Sequence, residues 1–344
     1  MNPEHKKYIL ENINKKSIKE ISQELDLKER KIRKFLQKQD KKKKQIESKK
    51  EPARPIKKGT ILLSIALIII LGFVAYGNSL NGELLWDDHY LVKKNLFIKN
   101  PAYLPNIFTE NIGAGGKGRF SFYRPLQILT YMVDYSLWEL NAMGYHLTNT
   151  LLHILVAIGI YWLINVLCSD NLLSLFTALL FVVHPVHTEA VTYISGRADS
   201  LVAILMLLCI IFYIKNINKG NLALYAVMVL SYILALLSRE NSLILPVLIL
   251  LYHYAFKMRI KPKLFLPLLG LACLYIVLRV GVFRFMLPHE GCPYTTLQRI
   301  PGFFVAITNY SRLLLLPFDL HMEYGLKYFT LSNPKALLGA AILA

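Results

Sequence analysis

Apolar and polar positions fall into long blocks along this chain. Apolar runs fill Thr60–Tyr76, about His146–Leu167, Leu172–Val183, Ser200–Ile214, Leu222–Leu237, Ser242–Phe256 and Leu264–Phe283, with a further run over Phe303–Pro317. A helix needs about 20 apolar residues to cross the hydrocarbon layer of a bilayer, so the pattern predicts seven or eight crossings. The first 40 residues read differently. Three short amphipathic helices are predicted there, about His5–Ile13, Ser17–Leu25 and Lys28–Gln37. Ser17 with Glu20 three positions on makes a capping box. Ile18, Ile21, Leu25, Leu27, Ile32, Phe35 and Leu36 are spaced to close a small core. The chain is therefore predicted to be all-α. Residues 1–40 form a small module, 41–58 a basic linker and 59–344 a polytopic membrane body.

Composition sharpens this division. Of the 344 residues 54% are hydrophobic and 18% charged, against about 45–50% and about 25% in soluble domains. That excludes a soluble enzyme, a secreted disulfide scaffold and a disordered tail protein. The net charge is +18, and residues 1–58 hold 20 of the 40 Lys/Arg against 9 of the 22 Asp/Glu. Basic residues accumulate in cytoplasmic loops, so the run Lys41–Lys58 places the N-terminus in the cytoplasm. Counting crossings puts two more basic loops on that side: 215–220, with Lys215 and Lys219, and 257–263, with Lys257, Arg259, Lys261 and Lys263. Cys168, Cys209, Cys273 and Cys292 show no C-x-x-C spacing and read as small apolar side chains. No cleavable signal peptide is read, because the first apolar run begins only near Thr60.

The same count turns three polar segments outward. The first outer loop, about 77–145, holds Asp87, Asp88 and Arg124; the next holds His184, His187, Glu189, Arg197 and Asp199; a third holds Arg239 and Glu240. Ionisable groups at a membrane edge are costly and usually face a cavity. A carboxylate can take a proton, and guanidinium forks match phosphate oxygens. Carboxylates with several arginines against an apolar wall thus suit a lipid-phosphate donor. Asp87 and Asp88 are the candidate base, with the choice between them open. Pro185 interrupts the helix that would align His184 with His187, so these read as polar lining of a cavity. A divalent metal is the weaker alternative, and no metal ligand set is assigned. His146, Asn149 and His153 share one helix face, where interhelical hydrogen bonding is expected. The glycine-rich run 113–118 lacks the preceding strand and the following Ser/Thr of a P-loop, and reads as a flexible loop.

Five stretches together resemble a known family: LLWDDHYLV (84–92), YRPLQILTYMVDYSLWELNAMGYHLTNTLLH (123–153), LLFVVHPVHTEAVTYISGRADSLVAIL (179–205), LLSRENSLILPVL (236–248) and NYSRLLLLPFDLHMEYG (309–325). They are similar to the transmembrane-and-tetratricopeptide-repeat (TMTC-like) proteins, relatives of the protein O-mannosyltransferases in the GT-C glycosyltransferase class. HPVHTEAV followed by GRAD carries the resemblance most strongly. It implies a polytopic GT-C fold and transfer of a sugar, typically mannose, from a polyprenyl-phosphate donor to a Ser/Thr hydroxyl of a protein on the outer face. It further implies that the acidic residue of the first outer loop, here Asp87 or Asp88, acts as base or positions the acceptor. Basic residues of later outer loops would bind the lipid phosphate, Arg239 first, then Arg197 and Arg124. No repeat of about 34 residues follows. The chain ends at Ala344 in what reads as the start of another membrane helix. It is therefore expected to be shortened relative to the family, or to use a partner subunit.

Residues 18–36 match helix-turn-helix spacing, with Asp26 where a turn glycine is common. Arg30, Lys31, Arg33 and Lys34 lie on the third helix, as on a DNA-reading helix. A tether of only about 25 residues to the membrane favours anionic headgroups or a docking protein over DNA. The joined module points to a prokaryotic plasma membrane. A membrane-anchored regulator or scaffold, catalytically inactive, is the alternative to the transferase.

Overall fold

A computed structural model of the chain describes residues 2–13, 16–37, 57–118, 120–281, 294–321 and 327–343. Cys292 and most of the expected linker lie outside the described residues. The chain divides into two compact units, Met1–Lys57 and Lys58–Ala344.

The first unit holds three helices: α1 (Pro3–Asn12), α2 (Ile18–Glu24) and α3 (29–37). Ser17 Oγ accepts from the Glu20 N–H at 3.3 Å, and the Glu20 carboxylate accepts from the Ser17 N–H at 2.7 Å. This reciprocal cap satisfies donors that the first helical turn leaves open. Ile9, Ile21 and Ile32, one from each helix, are fully buried, and Ile13, Ile18, Leu25, Leu27, Phe35 and Leu36 pack around them. Asp26 takes a positive φ of 49° between α2 and α3, the left-handed conformation that a sharp inter-helix turn needs and that Asp tolerates better than most side chains.

The second unit is all-α among the described residues. Helix α4 (Lys58–Tyr76) is followed by a long polar excursion. This carries the short α5 (Leu104–Thr109) and ends in α6 (Pro125–Trp138). Then come α7 (Ala142–Cys168), α8 (Asn171–Val183), the one-turn α9 (Thr188–Thr192), α10 (Arg197–Asn216), α11 (Leu222–Ser238), α12 (Leu245–Ala255), α13 (Pro262–Gly281), α14 (Thr296–Leu315) and α15 (Pro334–Leu343). The starts follow from local chemistry. Asn141, Asp170 and Asn221 cap α7, α8 and α11 with their side-chain oxygens, and Pro125 opens α6 at a position where its missing N–H costs nothing.

Three apolar clusters hold this unit together. Ile68, Ile154 and Val182 join α4, α7 and α8. Tyr213, Tyr232, Leu245 and Leu268 join α10 to α13. The excursion between α4 and α7 has its own core of Leu91, Val92, Ile107, Tyr131 and Tyr145. Outside the clusters the helices are inside-out by aqueous standards: Leu222 is 79% and Tyr254 83% exposed. Such surface is a liability in water and is solvated by lipid tails. The chain is a polytopic membrane protein.

Among the described residues, fewer stretches than the seven or eight expected have the length and composition of a full crossing. Four stretches, Lys58–Asn81, Ala142–Cys168, Ile194–Asn216 and Pro262–Gly281, are long and apolar enough; α8 with the turn after it is a fifth if its 50° bend is counted as one span. Helix α11, at 17 residues, reaches about 26 Å, short of the ~30 Å hydrocarbon layer. Helix α12 has 11 residues and reaches about 16 Å. Pro185 ends α8 early, and the polar Arg239–Asn241 segment divides α11 from α12. The run 113–118 also differs from the flexible loop expected. Gly115 and Gly116 are buried, the Gly115 carbonyl accepts from the Leu96 N–H at 2.9 Å, and a Cβ on Gly116 would stand 2.0 Å from the Tyr90 carbonyl. Those glycines permit close packing rather than cradling a ligand.

Candidate functional site

The three polar segments between helices meet at one end of the bundle. The Asp88 carboxylate reaches the 193–196 turn, Arg124 reaches Glu240, and Arg239 reaches Asp199. Residues 40 to 116 positions apart are thus brought to one place.

The two adjacent aspartates are separated by this packing. Asp88 is buried. One of its carboxylate oxygens accepts from the Leu85 N–H at 3.0 Å; the other accepts from the Ser195 N–H at 2.9 Å and from the Ser195 hydroxyl. Burial pushes its carboxyl above the usual range, opposed by those same hydrogen bonds. Asp87, one residue earlier, is exposed. Its N–H donates to the Tyr193 hydroxyl at 3.3 Å, and Tyr193 in turn packs edge-on against Trp86, ring centroids 5.9 Å apart. Trp86 holds a positive φ of 40°. Positive φ is uncommon for a bulky side chain.

Beside Asp87 opens a cavity of about 460 Å³, whose walls include Trp86, Pro185, Glu189, Thr192, Tyr193 and Tyr310. Glu189 feels both the Asp199 carboxylate and the Arg239 guanidinium, so the Arg239–Asp199 ion pair sits close to this hollow. Arg124 grips Glu240 through two nitrogens, at 3.3 and 3.1 Å, and Arg279 of α13 approaches the same carboxylate at 3.7 Å. Burial would raise the Glu240 carboxyl, but the Arg124 hydrogen bonds and the two positive charges outweigh it and hold it below the ordinary value.

Arg197 is placed otherwise than expected. It is fully buried, paired with Asp134 of α6 at 2.5 Å, and donates to Asn149 Oδ1 at 2.7 Å, Thr130 Oγ1 at 3.3 Å and the Tyr145 carbonyl at 3.1 Å. Its guanidinium also lies 4.6 Å from the centre of the Tyr131 ring. With its donors engaged inside the protein, Arg197 ties α6, α7 and α10 together and does not reach a ligand. The shared face of α7 behaves as its spacing suggests: Asn149 Nδ2 donates to the carbonyls of Val191, Tyr193 and Ile194, and His153 Nε2 bonds the Val182 carbonyl.

His184 is a connector. Its Nδ1 accepts from the Val186 N–H at 3.2 Å, so the proton lies on Nε2, which donates to the Leu314 carbonyl at 3.1 Å. Both ring nitrogens are used, and α14 is fastened to the 184–189 turn. His187 packs against Phe181 and His153, with centroids 4.2 and 5.2 Å away. Among the described residues no group of three His, Cys, Asp or Glu side chains is placed to hold a metal ion.

Asp134, Ser195, Tyr193 and Arg279 went unremarked as site residues in the sequence. One signal was available: Asp134 and Arg279 are lone charges within apolar helical stretches, where a buried partner of opposite sign is the normal reason for their presence.

No family model matches the chain, and no solved structure does. Curated relatives do match. Protein O-mannosyl-transferase TMTC1 of Homo sapiens is 36% identical over 160 residues, 45% of this chain and 18% of that protein. The chain resembles the TMTC protein O-mannosyl-transferases. Protein O-mannosyl-transferase TMTC3 of Mus musculus is 32% identical over 185 residues, 52% of this chain and 20% of that protein. Protein O-mannosyl-transferase F38B6.6 of Caenorhabditis elegans is 27% identical over 284 residues, 76% of this chain and 39% of that protein. This TMTC-like chain therefore spans well under half the length of the relatives it matches.

Proposed function

We propose that this chain is a membrane glycosyltransferase of the GT-C type that moves a sugar, mannose by analogy with its relatives, from a polyprenyl-phosphate donor to a Ser/Thr hydroxyl of a protein. The reaction lies on the outer face, with the N-terminus and the basic segments 41–58, 215–220 and 257–263 in the cytoplasm. One observation supports this reading: Asp87, which follows the cavity-wall residue Trp86 and whose N–H donates to the cavity-wall residue Tyr193, offers an exposed carboxylate, whereas its neighbour Asp88 is locked into the fold. Asp87 is then the base. Its carboxylate takes the proton of the acceptor hydroxyl, the hydroxyl oxygen bonds to the anomeric carbon, and the bond from that carbon to the phosphate oxygen breaks, leaving the lipid phosphate with the electron pair. Glu189 lines the hollow and, with the Arg239–Asp199 pair that acts on it, orients the sugar; Arg124 and Glu240 brace the segment that carries Arg239. The names of the TMTC relatives supply the sugar and the protein acceptor in this reading.

The test is transfer of radiolabelled mannose from a polyprenyl-phosphate donor to protein in membranes. Wild type should incorporate label. Asp87→Asn should reduce incorporation by about 10²–10⁴-fold, the usual contribution of a positioned base. Incorporation by Asp87→Asn equal to wild type would refute the assignment.

A further inference from the structure

The three arginines that the sequence offers for a phosphate are each met by a carboxylate: Arg124 by Glu240, Arg197 by Asp134 and Arg239 by Asp199. An approaching phosphate would find each of the three already facing a carboxylate, although Arg279 shares the one that meets Arg124. Charge compensation for a leaving phosphate has to come from cations whose present partners are neutral.

Such cations lie together elsewhere. A second cavity, about 690 Å³, opens between α14 and the chain leading into α15, and Arg312, Lys327 and Lys335 line it. Arg312 Nη1 donates to the Phe318 carbonyl at 2.9 Å, and Lys335 Nζ to Asn309 Oδ1 at 3.4 Å. These partners carry no charge. The carboxylate in the lining, Asp319, lies 3.0 Å from His321 Nε2. Among the described residues of the lining, three positive charges face one carboxylate. Val305, Leu313 and Phe329 supply an apolar wall on the same hollow. Tyr310, Leu313 and His321 also line the smaller cavity beside Asp87, so the two hollows adjoin. Guanidinium and ammonium groups beside apolar side chains suit an anion that carries a hydrocarbon chain.

We propose that Arg312, Lys327 and Lys335 form the seat for the phosphate of an amphiphilic phosphate ester, with the apolar wall taking the start of its hydrocarbon chain. Two sources share that chemistry: a polyprenyl-linked sugar phosphate and the headgroup of a bilayer phospholipid. The first source rests on the transferase reading above; the seat itself does not.

The test is equilibrium binding of radiolabelled polyprenyl phosphate to the full chain in nanodiscs of phosphatidylcholine. The triple variant Arg312→Gln/Lys327→Gln/Lys335→Gln should bind at least about tenfold more weakly, equivalent to 1.4 kcal/mol. The charge-retaining Arg312→Lys/Lys327→Arg/Lys335→Arg should stay close to wild type. Lys327→Gln alone, an exposed side chain, should still weaken binding about threefold, which guards against a triple variant that fails to fold. Competition with phosphatidylglycerol separates the sources. Displacement only at large excess assigns the seat to the polyprenyl phosphate, and equal displacement assigns it to bilayer headgroups. Unchanged binding in the triple variant, or in Lys327→Gln if the triple variant is unfolded, would overturn the proposal. A wild-type chain that binds polyprenyl phosphate through these residues yet never transfers mannose would refute the transferase and leave the seat standing.

Discussion

The separation of Asp87 from Asp88 makes a pair of neighbouring substitutions behave oppositely. Asp88→Ala removes the acceptor for three donors, the Leu85 N–H, the Ser195 N–H and the Ser195 hydroxyl, in a buried place. Leaving a buried donor unpaired costs about 1–3 kcal/mol, and a bond to a charged acceptor is worth about 1.5–3 kcal/mol. Against this stands the free energy spent keeping an ionised carboxylate out of water, which the raised Asp88 carboxyl reflects. The net loss expected is about 3 kcal/mol, or roughly 6–12 °C in Tm on the scaling for domains of 150–250 residues. Asp87→Ala removes an exposed side chain and keeps the backbone N–H that Tyr193 accepts. Its stability should stay within about 0.5 kcal/mol of wild type. Thermal unfolding of the purified protein in detergent, followed by tryptophan fluorescence, measures both; mannose transfer in membranes is measured on the same preparations. Asp88→Ala should lose thermal stability, and Asp87→Ala should lose transfer at unchanged Tm. Equal Tm values for Asp88→Ala and wild type would refute the packing argument. A Tm for Asp87→Ala as low as that of Asp88→Ala would show that the two aspartates share one structural role.

Other consequences follow from the ion pairs. Glu240 has a folded-state value below its ordinary one, so its contribution is present above about pH 4.5 and is lost as the pH falls through the depressed value. Glu240→Gln should therefore lower Tm at neutral pH and bring the wild-type and variant Tm values together on acidification through the depressed value; a constant difference across that range would exclude the Arg124–Glu240–Arg279 cluster as its cause. Arg197→Ala leaves Asp134 buried and unpaired and should cost about 3–5 kcal/mol, whereas Arg197→Met with Asp134→Leu should recover most of that loss. Failure of the double variant to recover, measured by thermal unfolding, would mean that the bonds from Arg197 to Asn149, Thr130 and Tyr145 outweigh the ion pair.

What the sequence by itself determined is whatever follows from local or periodic patterns. The apolar blocks make a membrane body, the basic excess over residues 1–58 marks the head, and Ser17 with Glu20 caps α2. Asn149 and His153 on one face of α7 bond neighbouring segments. These readings need only hydrophobic periodicity and cap chemistry, which act over a few residues. The number of crossings was less legible, because short interruptions such as Pro185 and Arg239–Asn241 shorten helices without changing mean hydropathy much. The candidate site was legible as a set of residue types and not as roles. Sequence alone cannot tell Asp87 from Asp88, since only the 193–196 turn, more than 100 residues away, decides which carboxylate is bound and buried. Likewise Arg197 became an internal brace, because Asp134 and Asn149 are carried to it by other helices. An ionised side chain takes its role from the partners that neutralise it, and those partners are set by long-range packing. That is why Arg124, Arg197 and Arg239 already face carboxylates.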